Sequence, residues 1–432
     1  MRTSVLFLED EMMDYSQYPA RSILCVDMRS FYASCAAVLL GLDPMTCLLA
    51  VVGNTERQGS IVLAASPALK REFGVQTGTR LFQLPDDPRI HLVNPKMAVF
   101  VRVSKELTRL FGRYVPHDAV HTYSIDESFI QVDGVESMWG DAQTIAMKIQ
   151  DDMKREFGLP CTVGIGPNML LAKLCLDLEA KKAEGGIAVW DYQDVKAKLW
   201  PLSPLRRMWG IGSRLERTLN RMGIFTVGQL AQYDLKRLEK RFGLMGNQLY
   251  YHAWGIDLSA IGAPIMSGQI SFGKSQILLR DYPDPNEVKC VILEMCEEVA
   301  KRARDHRQAG RTVSLGIEYS RDELGGGFYR SKTMEAPSNI TLDLYHTCLA
   351  LFDRFYEGKT VRKISVSLSN IQDDIHMQLD LFQPDQEKKR MLGYVMDGIR
   401  ERHGSTALLR AVSYTNAGTA RLRSKLVGGH RA

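Results

Sequence analysis

No run of about 18 apolar residues occurs in this 432-residue chain, so no segment is expected to cross a membrane as a helix. The basic region and apolar core of a secretory signal are also missing. Met1–Asp14 carries Glu9, Asp10, Glu11 and Asp14 instead, and reads as part of a loose leader over residues 1–20, with folding expected to begin near Arg21. No Cys-x-x-Cys pair is found among the eight cysteines (25, 35, 47, 161, 175, 290, 296 and 348). This argues against a zinc site and for reduced, buried thiols in a cytoplasmic protein. A large charge of one sign is missing too: the formal net charge is +5. A hydrophobic content of 45% excludes a disordered chain, and the length allows two to four domains.

What charge there is, is unevenly placed. Between Val195 and Gly262 eleven Lys/Arg stand against four acids, and residues 398–432 carry seven Lys/Arg against Glu401 alone. Such local positive surfaces suit a polyanion, unless they are ordinary solvated faces.

The stretch that organises the rest is Asp118–Val132. Apolar and β-branched residues there flank an adjacent acidic pair, Asp126-Glu127. The flanks read as strands over Val120–Ile125 and Phe129–Val132, joined at the pair. Two adjacent carboxylates repel, and one tends to take up a proton unless water or a cation meets them. A solvated hairpin tip and a cation site are the two readings. A third carboxylate upstream favours the second. Ser22–Asp27 is a short apolar strand ending in Asp27, followed by a helix for which Ser30 is a plausible N-cap. A carboxylate at a strand's C-terminal end lies on the sheet rim, where α/β folds bind ligands, although Asp also serves turns there.

Cys47–Val52 and Ser60–Ser66 read as strands around a turn-rich loop. Pro67–Phe73 is a short helix closed by Gly74 and carries Lys70 and Arg71 near the rim. Residues 53–93 form a small lobe inserted in the first domain. Val99–Tyr114 and Trp139–Phe157 are helices, Cys161–Gly166 a strand, and Asn168 caps a helix running to about Ala180, just before Lys181-Lys182. Gly164-x-Gly166 lacks the third glycine of a dinucleotide fingerprint, which favours a tight strand-to-helix turn over a phosphate loop. With a final strand at Ile187–Trp190, residues 21–190 make an α/β sheet domain. Leu202–Tyr251 is helical, basic and glycine-punctuated. Gly210-Ile211-Gly212 before a helix that carries Arg214 is a helix–hairpin–helix pattern, whose glycines let backbone N–H groups approach a phosphate. Backbone contact to duplex DNA is preferred here to a purely structural hairpin.

After a linker near Gly262–Gln269 the pattern is strand 271–279, helix 287–307, strands 311–320 and 328–335, helix 341–356 and strand 361–370, a βαββαβ order that makes a two-layer α+β domain. Gln378-Leu379-Asp380-Leu381-Phe382 sets three large apolar residues in a polar loop, as either a peptide for a partner's pocket or an edge strand packed inward. Residues 416–432 read as a flexible tail.

Asp27, Asp126 and Glu127 can meet at one rim if strand 22–27 lies beside the acidic hairpin. Hard oxygens without His or Cys suit Mg²⁺, and two such ions roughly 4 Å apart can clamp the attacking and leaving oxygens of a nucleotidyl transfer. Lys70, Arg71 and Lys181 are candidate triphosphate contacts, and the basic hairpins can hold a duplex. Asp27–Ser34 (Asp-Met-Arg-Ser-Phe-Tyr-Ala-Ser), Tyr123–Phe129 (Tyr-Ser-Ile-Asp-Glu-Ser-Phe) and Gly164–Lys173 (Gly-Ile-Gly-Pro-Asn-Met-Leu-Leu-Ala-Lys) together resemble the motifs of Y-family translesion DNA polymerases, nearest the UmuC-like single-chain enzymes of Gram-positive bacteria.

The resemblance covers residues 21–415. It implies a multidomain α/β and α+β right hand: palm at 21–52 and 94–195, fingers at 53–93, a helix–hairpin–helix thumb at 196–262, a linker at 263–270 and a little finger at 271–415. It implies that Asp27, Asp126, Glu127 and the Met28 backbone carbonyl hold two Mg²⁺, that Tyr32, with Phe31 beside it, is the steric gate against ribose, and that Arg71 and Lys181 meet the triphosphate. It further implies primer-template DNA and dNTP as substrates, docking of Gln378–Phe382 on the bacterial sliding clamp (its β subunit), low fidelity without proofreading, and a role in DNA repair and the SOS response. Three departures stand out. The Tyr of a Tyr-x-x-Arg on the finger helix is Ala68 here, which leaves Lys70 and Arg71 unranked. The Lys181 match needs a one-residue insertion, which keeps Lys182 open. Arg29 replaces a common acidic residue. A palm-type nucleotide cyclase and a non-catalytic clamp-recruiting DNA-binding adaptor are the alternatives.

Overall fold

The structure, a computed structural model, describes residues 13–262, 271–321, 325–374, 385–427 and 430–431. It divides into two compact units, Met1–Pro264 and Ile265–Ala432.

The first unit runs β1 (Ile23–Met28), α1 (Phe31–Leu39), β2 (Leu49–Val52), β3 (Val62–Ala65), α2 (Pro67–Phe73), β4 (His91–Val93), α3 (Met97–Phe111), β5 (Val120–Thr122), β6 (Glu127–Gln131), α4 (Glu136–Trp139), α5 (Ala142–Phe157), β7 (Cys161–Gly166), α6 (Met169–Cys175) and β8 (Ile187–Val189), then the helices α7 (Ser213–Arg221), α8 (Val227–Ala231), α9 (Leu235–Phe242) and α10 (Leu244–Ala253). Its main sheet has the order β5-β6-β1-β7-β8. Strand β1 is central and buried on both faces, which is why it reads as one apolar run. Leu24, Val26 and Met28 pack on α3 and α5, whereas Ile23 and Cys25, with Phe129, pack on α6 and the helices beyond it. The two-residue period of a strand puts Asp27 on the side of Ile23 and Cys25.

Several expectations are corrected. Strand β2 does not join the main sheet. It is the centre of a small three-stranded sheet, β3-β2-β4, so the inserted lobe starts at Leu49 and not at residue 53. The helix expected over Trp139–Phe157 is present but begins at Ala142, where Asp141 caps it by accepting the Thr144 N–H, and Trp139 ends the separate short helix α4. Residues 13–20 of the supposed leader are packed. The Tyr15 hydroxyl donates to the Trp254 carbonyl at 2.9 Å, and its ring stacks on Tyr192 at 4.7 Å. Residues 1–12 lie outside the described residues.

The tight strand-to-helix turn expected here is the two-residue link Pro167-Asn168 between β7 and α6, and Gly164 and Gly166 themselves lie in the strand. They let α6 lie directly on β7. A Cβ on Gly164 would sit 2.3 Å from the Ala172 carbonyl oxygen and 2.4 Å from the Leu176 nitrogen, both backbone atoms that cannot step aside. Gly164→Ala is expected to cost about 2–3 kcal/mol by overpacking, read as a lowered thermal midpoint. An unchanged midpoint would mean the helix is not seated on the strand.

The second unit runs β9 (Phe272–Tyr282), α11 (Pro285–Asp305), β10 (Gln308–Tyr319), β11 (Gly327–Ser338), α12 (Thr341–Phe355) and β12 (Val361–Asp373), the expected βαββαβ order, with an antiparallel sheet β11-β10-β12-β9. Helices α11 and α12 cover one face of the sheet around Val291, Met295, Val299, Leu344 and Phe352. Four elements were not foreseen: the helices α13 (Gln386–His403) and α14 (Ala420–Arg423) and the paired strands β13 (Leu426–Val427) and β14 (His430–Arg431). The flexible tail expected over 416–432 is in its described part a docked strap. Glu294 is a buried carboxylate on α11 that needs partners. Thr419 supplies its N–H at 2.9 Å and its hydroxyl at 2.8 Å, and Arg423 binds Glu298 at 2.9 Å. Gln378–Phe382 falls in 375–384, outside the described residues.

Candidate active site

The carboxylates are brought to one rim by strand pairing. β1 runs antiparallel to β6 with Asp27 directly opposite Glu127. The acidic pair is not the tip of a continuous hairpin, as expected, but is split by it. Tyr123–Asp126 form the turn, the Tyr123 and Ser124 N–H groups both bond to the Glu127 carbonyl at 3.0 Å, and Glu127 opens β6. The neighbours therefore differ in kind. Asp126 is on the turn, its Oδ1 accepting the Ser124 hydroxyl at 2.7 Å and its carbonyl accepting the Met28 N–H at 3.0 Å. Glu127 is 8% exposed and turned inward, its Oε1 accepting from the Cys25 thiol at 3.2 Å and from Lys173 Nζ at 2.8 Å.

Two lysines face the trio from α6 and the turn that follows it. Besides Glu127, Lys173 binds Asp177 at 3.1 Å; Lys181 binds Asp27 at 2.9 Å and the same Asp177 at 2.7 Å. Lys181, and not Lys182, reaches Asp27 because α6 continues as a π-turn over Leu176–Ala180, with the Lys181 N–H bonded to the Leu176 carbonyl five residues back at 3.1 Å. A π-turn is how a helix absorbs one extra residue. Burial pushes the Asp27 carboxyl up from its ordinary value; Lys181 opposes this, and Asp126 and Glu127 add to it. Burial works against the charge on Lys173 and Lys181, yet their carboxylate partners prevail and hold both ammoniums above the ordinary lysine value. Lys70 goes the other way, lowered by burial and by Lys181.

Among the described residues, no three His, Cys, Asp or Glu side chains converge tightly enough to hold a metal ion as they stand. Asp27 leans to Lys181, Asp126 to Ser124 and Glu127 to Lys173 and Cys25. The donor set nonetheless suits a hard divalent cation, being all oxygen with mutual repulsion that such an ion relieves.

Around the rim, Ser30 stands at the N-cap position of α1 as expected, but its side chain does not cap the helix. It is in the left-handed region (φ 50°) without a capping bond, and its hydroxyl instead accepts Lys70 Nζ at 2.8 Å from the small lobe. Lys70 thus joins the site, whereas Arg71 is exposed and makes no ion pair among the described residues. Tyr32 stacks on Phe100 at 4.8 Å and is half-buried. Phe31, named with it as a gate, is 2% exposed and belongs to the core with Met28 and Phe100, so it presents nothing to a ligand. Gly210 (φ 93°) and Gly212 lead into α7, with open space where a Cβ would stand, and Arg214 is exposed beside them. Sequence reasoning missed the roles of Cys25, Lys173 and Asp177. The four-residue spacing of 173, 177 and 181 was the available signal.

The profile of the impB/mucB/samB family matches residues 26–177, its C-terminal domain residues 269–381 and its helix–hairpin–helix motif residues 192–224. The Bacillus subtilis (strain 168) protein UvrX, named for UV-damage repair, is 66% identical over 98% of this chain and 100% of its own length. The chain belongs to the impB/mucB/samB family, the UmuC-like branch of the Y-family DNA polymerases. Another relative is DNA polymerase IV 2 of the same organism, 40% identical over 94% of this chain and 98% of that protein. Among solved structures, a Y-family DNA polymerase chimera, Dbh-Dpo4(243-245)-Dbh, superposes with a TM-score of 0.63 over 82% of this chain and 99% of its own, at 22% identity. That likeness shows the fold of the family: palm, fingers, helix–hairpin–helix thumb and little finger.

Proposed function

We propose that this chain is a translesion DNA polymerase that extends a primer 3′ end opposite damaged template by two-metal-ion nucleotidyl transfer, with low fidelity and no proofreading, in cytoplasmic DNA repair and the SOS response. The observation that carries it is the register Asp27 opposite Glu127, with Asp126 one residue away and Lys181 and Lys70 on the same rim. We assign the main sheet to the palm, the lobe from Leu49 to residue 93 to the fingers, residues 196–262 to the thumb and 271–415 to the little finger.

Asp27, Asp126, Glu127 and the Met28 carbonyl are the groups that would hold two Mg²⁺. Bound there, the ions supply charge stabilisation for the attacking and leaving oxygens. Lys181 and Lys70 meet the triphosphate of the incoming dNTP as point charges, while Arg71, exposed on the same helix as Lys70, is the third candidate. Tyr32 screens the sugar. The open backbone at Gly210 and Gly212, the start of α7 and Arg214 hold a DNA phosphate without reading sequence. Gln378–Phe382 docks on the sliding clamp.

Primer extension on intact and abasic templates tests this reading. Template-dependent dNTP addition on both is expected, and purified protein that yields only cyclic nucleotide, or no product, would overturn it. With the clamp present, Leu381→Ala combined with Phe382→Ala is expected to shorten products about tenfold while leaving single-nucleotide addition intact. Equal product lengths would remove the clamp peptide from the reading.

A further inference from the structure

The rim carries a residue that no metal or nucleotide role accounts for. Asp177 lies in the π-turn behind the site and binds both lysines, Lys173 through Oδ2 at 3.1 Å and Lys181 through Oδ1 at 2.7 Å. Five charges alternate in sign along one line: Glu127, Lys173, Asp177, Lys181, Asp27. The line closes on itself, because Asp27 and Glu127 face each other across the strand pair.

We propose that Asp177 is a positioning residue that holds the Lys181 ammonium at the rim for the incoming nucleotide's triphosphate. The inference rests on the polymerase reading above and goes beyond it. A lysine is a flexible four-carbon stem ending in a point charge with three donors, and ordering it costs rotamer entropy at the moment of binding. Here Lys181 has two anchors of different kinds. Asp27 belongs to the carboxylate trio and is needed there. Asp177 belongs to the helix behind. Lys181 can leave Asp27 and turn its freed donors to a phosphate while Asp177 still accepts from the same ammonium. The π-turn makes this arrangement possible, since its wider loop carries Asp177 and delivers Lys181 together. The side chain of Asp177 is 37% exposed, so its contacts are not those of a core residue whose loss unfolds the chain.

The test is equilibrium binding of the correct dNTP to the full chain on primer-template with a dideoxy-terminated primer, which allows no chemistry, beside primer-template affinity and thermal midpoint. Asp177→Asn is expected to weaken dNTP binding about tenfold, with primer-template affinity within about twofold. Asp177→Glu, which keeps the charge, should restore most of the loss. Lys181→Met should show a loss at least as large, and adding Asp177→Asn to it should cost nothing more, because a residue acting through Lys181 has no effect once Lys181 is gone. Unchanged dNTP affinity in Asp177→Asn, an equal fall in dNTP and DNA affinity, or an undiminished effect in the Lys181→Met background would each overturn the inference. If wild type binds and incorporates dNTP while Asp177→Asn behaves like it, only this inference falls. If wild type neither binds nor incorporates, the polymerase reading falls with it.

Discussion

Asp126→Ala is expected to abolish primer extension, a loss of about a thousandfold or more, with the thermal midpoint nearly unchanged. The two halves of that expectation come from the same geometry. Asp126 stands on the Tyr123–Asp126 turn, and among the described residues its only side-chain bond is the short-range one from the Ser124 hydroxyl at 2.7 Å. The bond that fixes the turn to β1, from the Met28 N–H at 3.0 Å, uses the Asp126 backbone carbonyl and survives the substitution. Removing the side chain thus costs little structure. It does remove one of three carboxylates from a rim where Asp27 and Glu127 already have ammonium partners. Primer extension followed to long times, alongside circular dichroism melting, checks both halves. Full activity would show that the trio holds no metal and would sink the catalytic assignment, whereas a collapsed midpoint would show that the turn, and not the metal site, depends on Asp126.

The same contrast shows what could be read in the sequence. The pair Asp126-Glu127 and the third carboxylate Asp27 were legible, because apolar strands that end in acids are a local pattern. Their unequal status was not, since it depends on which residue pairs across to β1, and Asp27 opposite Glu127 is a long-range fact. Helix α2 was legible to the residue from Pro67 at its start and Gly74 beyond its end, both local signals. Strand β2 reads as well as any strand, yet nothing local says that it pairs with β3 and β4 and not with β1. Ser30 looked like a cap because serine caps often, whereas its hydroxyl is taken up by Lys70, forty residues on, at 2.8 Å. The strap at 416–427 looked polar and loose because its anchor, Glu294, lies far away in sequence. Lys173, Asp177 and Lys181 were within reach of a spacing argument, but their meaning comes from Glu127 and Asp27, which only folding brings beside them.

Tyr32→Ala is expected to let ribonucleotides in, lowering discrimination between dNTP and rNTP by about a hundredfold or more, while dNTP incorporation falls only a few-fold. The ring sits at the N-terminal end of α1, five residues after Asp27, and is held by stacking on Phe100 at 4.8 Å with an interplanar angle of 19°. A stacked ring cannot swing away from an added hydroxyl without giving up that contact, which is what a steric filter requires. Burial, and the negative charge of Asp126 after it, raise the phenol above its ordinary value, so the side chain stays neutral at working pH and selects by shape. Tyr32→Phe, which keeps the ring and loses only the hydroxyl, should therefore retain discrimination close to wild type. The alanine variant also loses aromatic packing on α3, so its midpoint should fall by an amount consistent with a half-buried aromatic, about 1–3 kcal/mol. Incorporation kinetics with paired dNTP and rNTP on one primer-template decide the matter. An unchanged ratio in Tyr32→Ala would take the gate away from Tyr32. Lost discrimination in Tyr32→Phe would move it from the ring to the hydroxyl, and selection would then work by hydrogen bonding and not by exclusion.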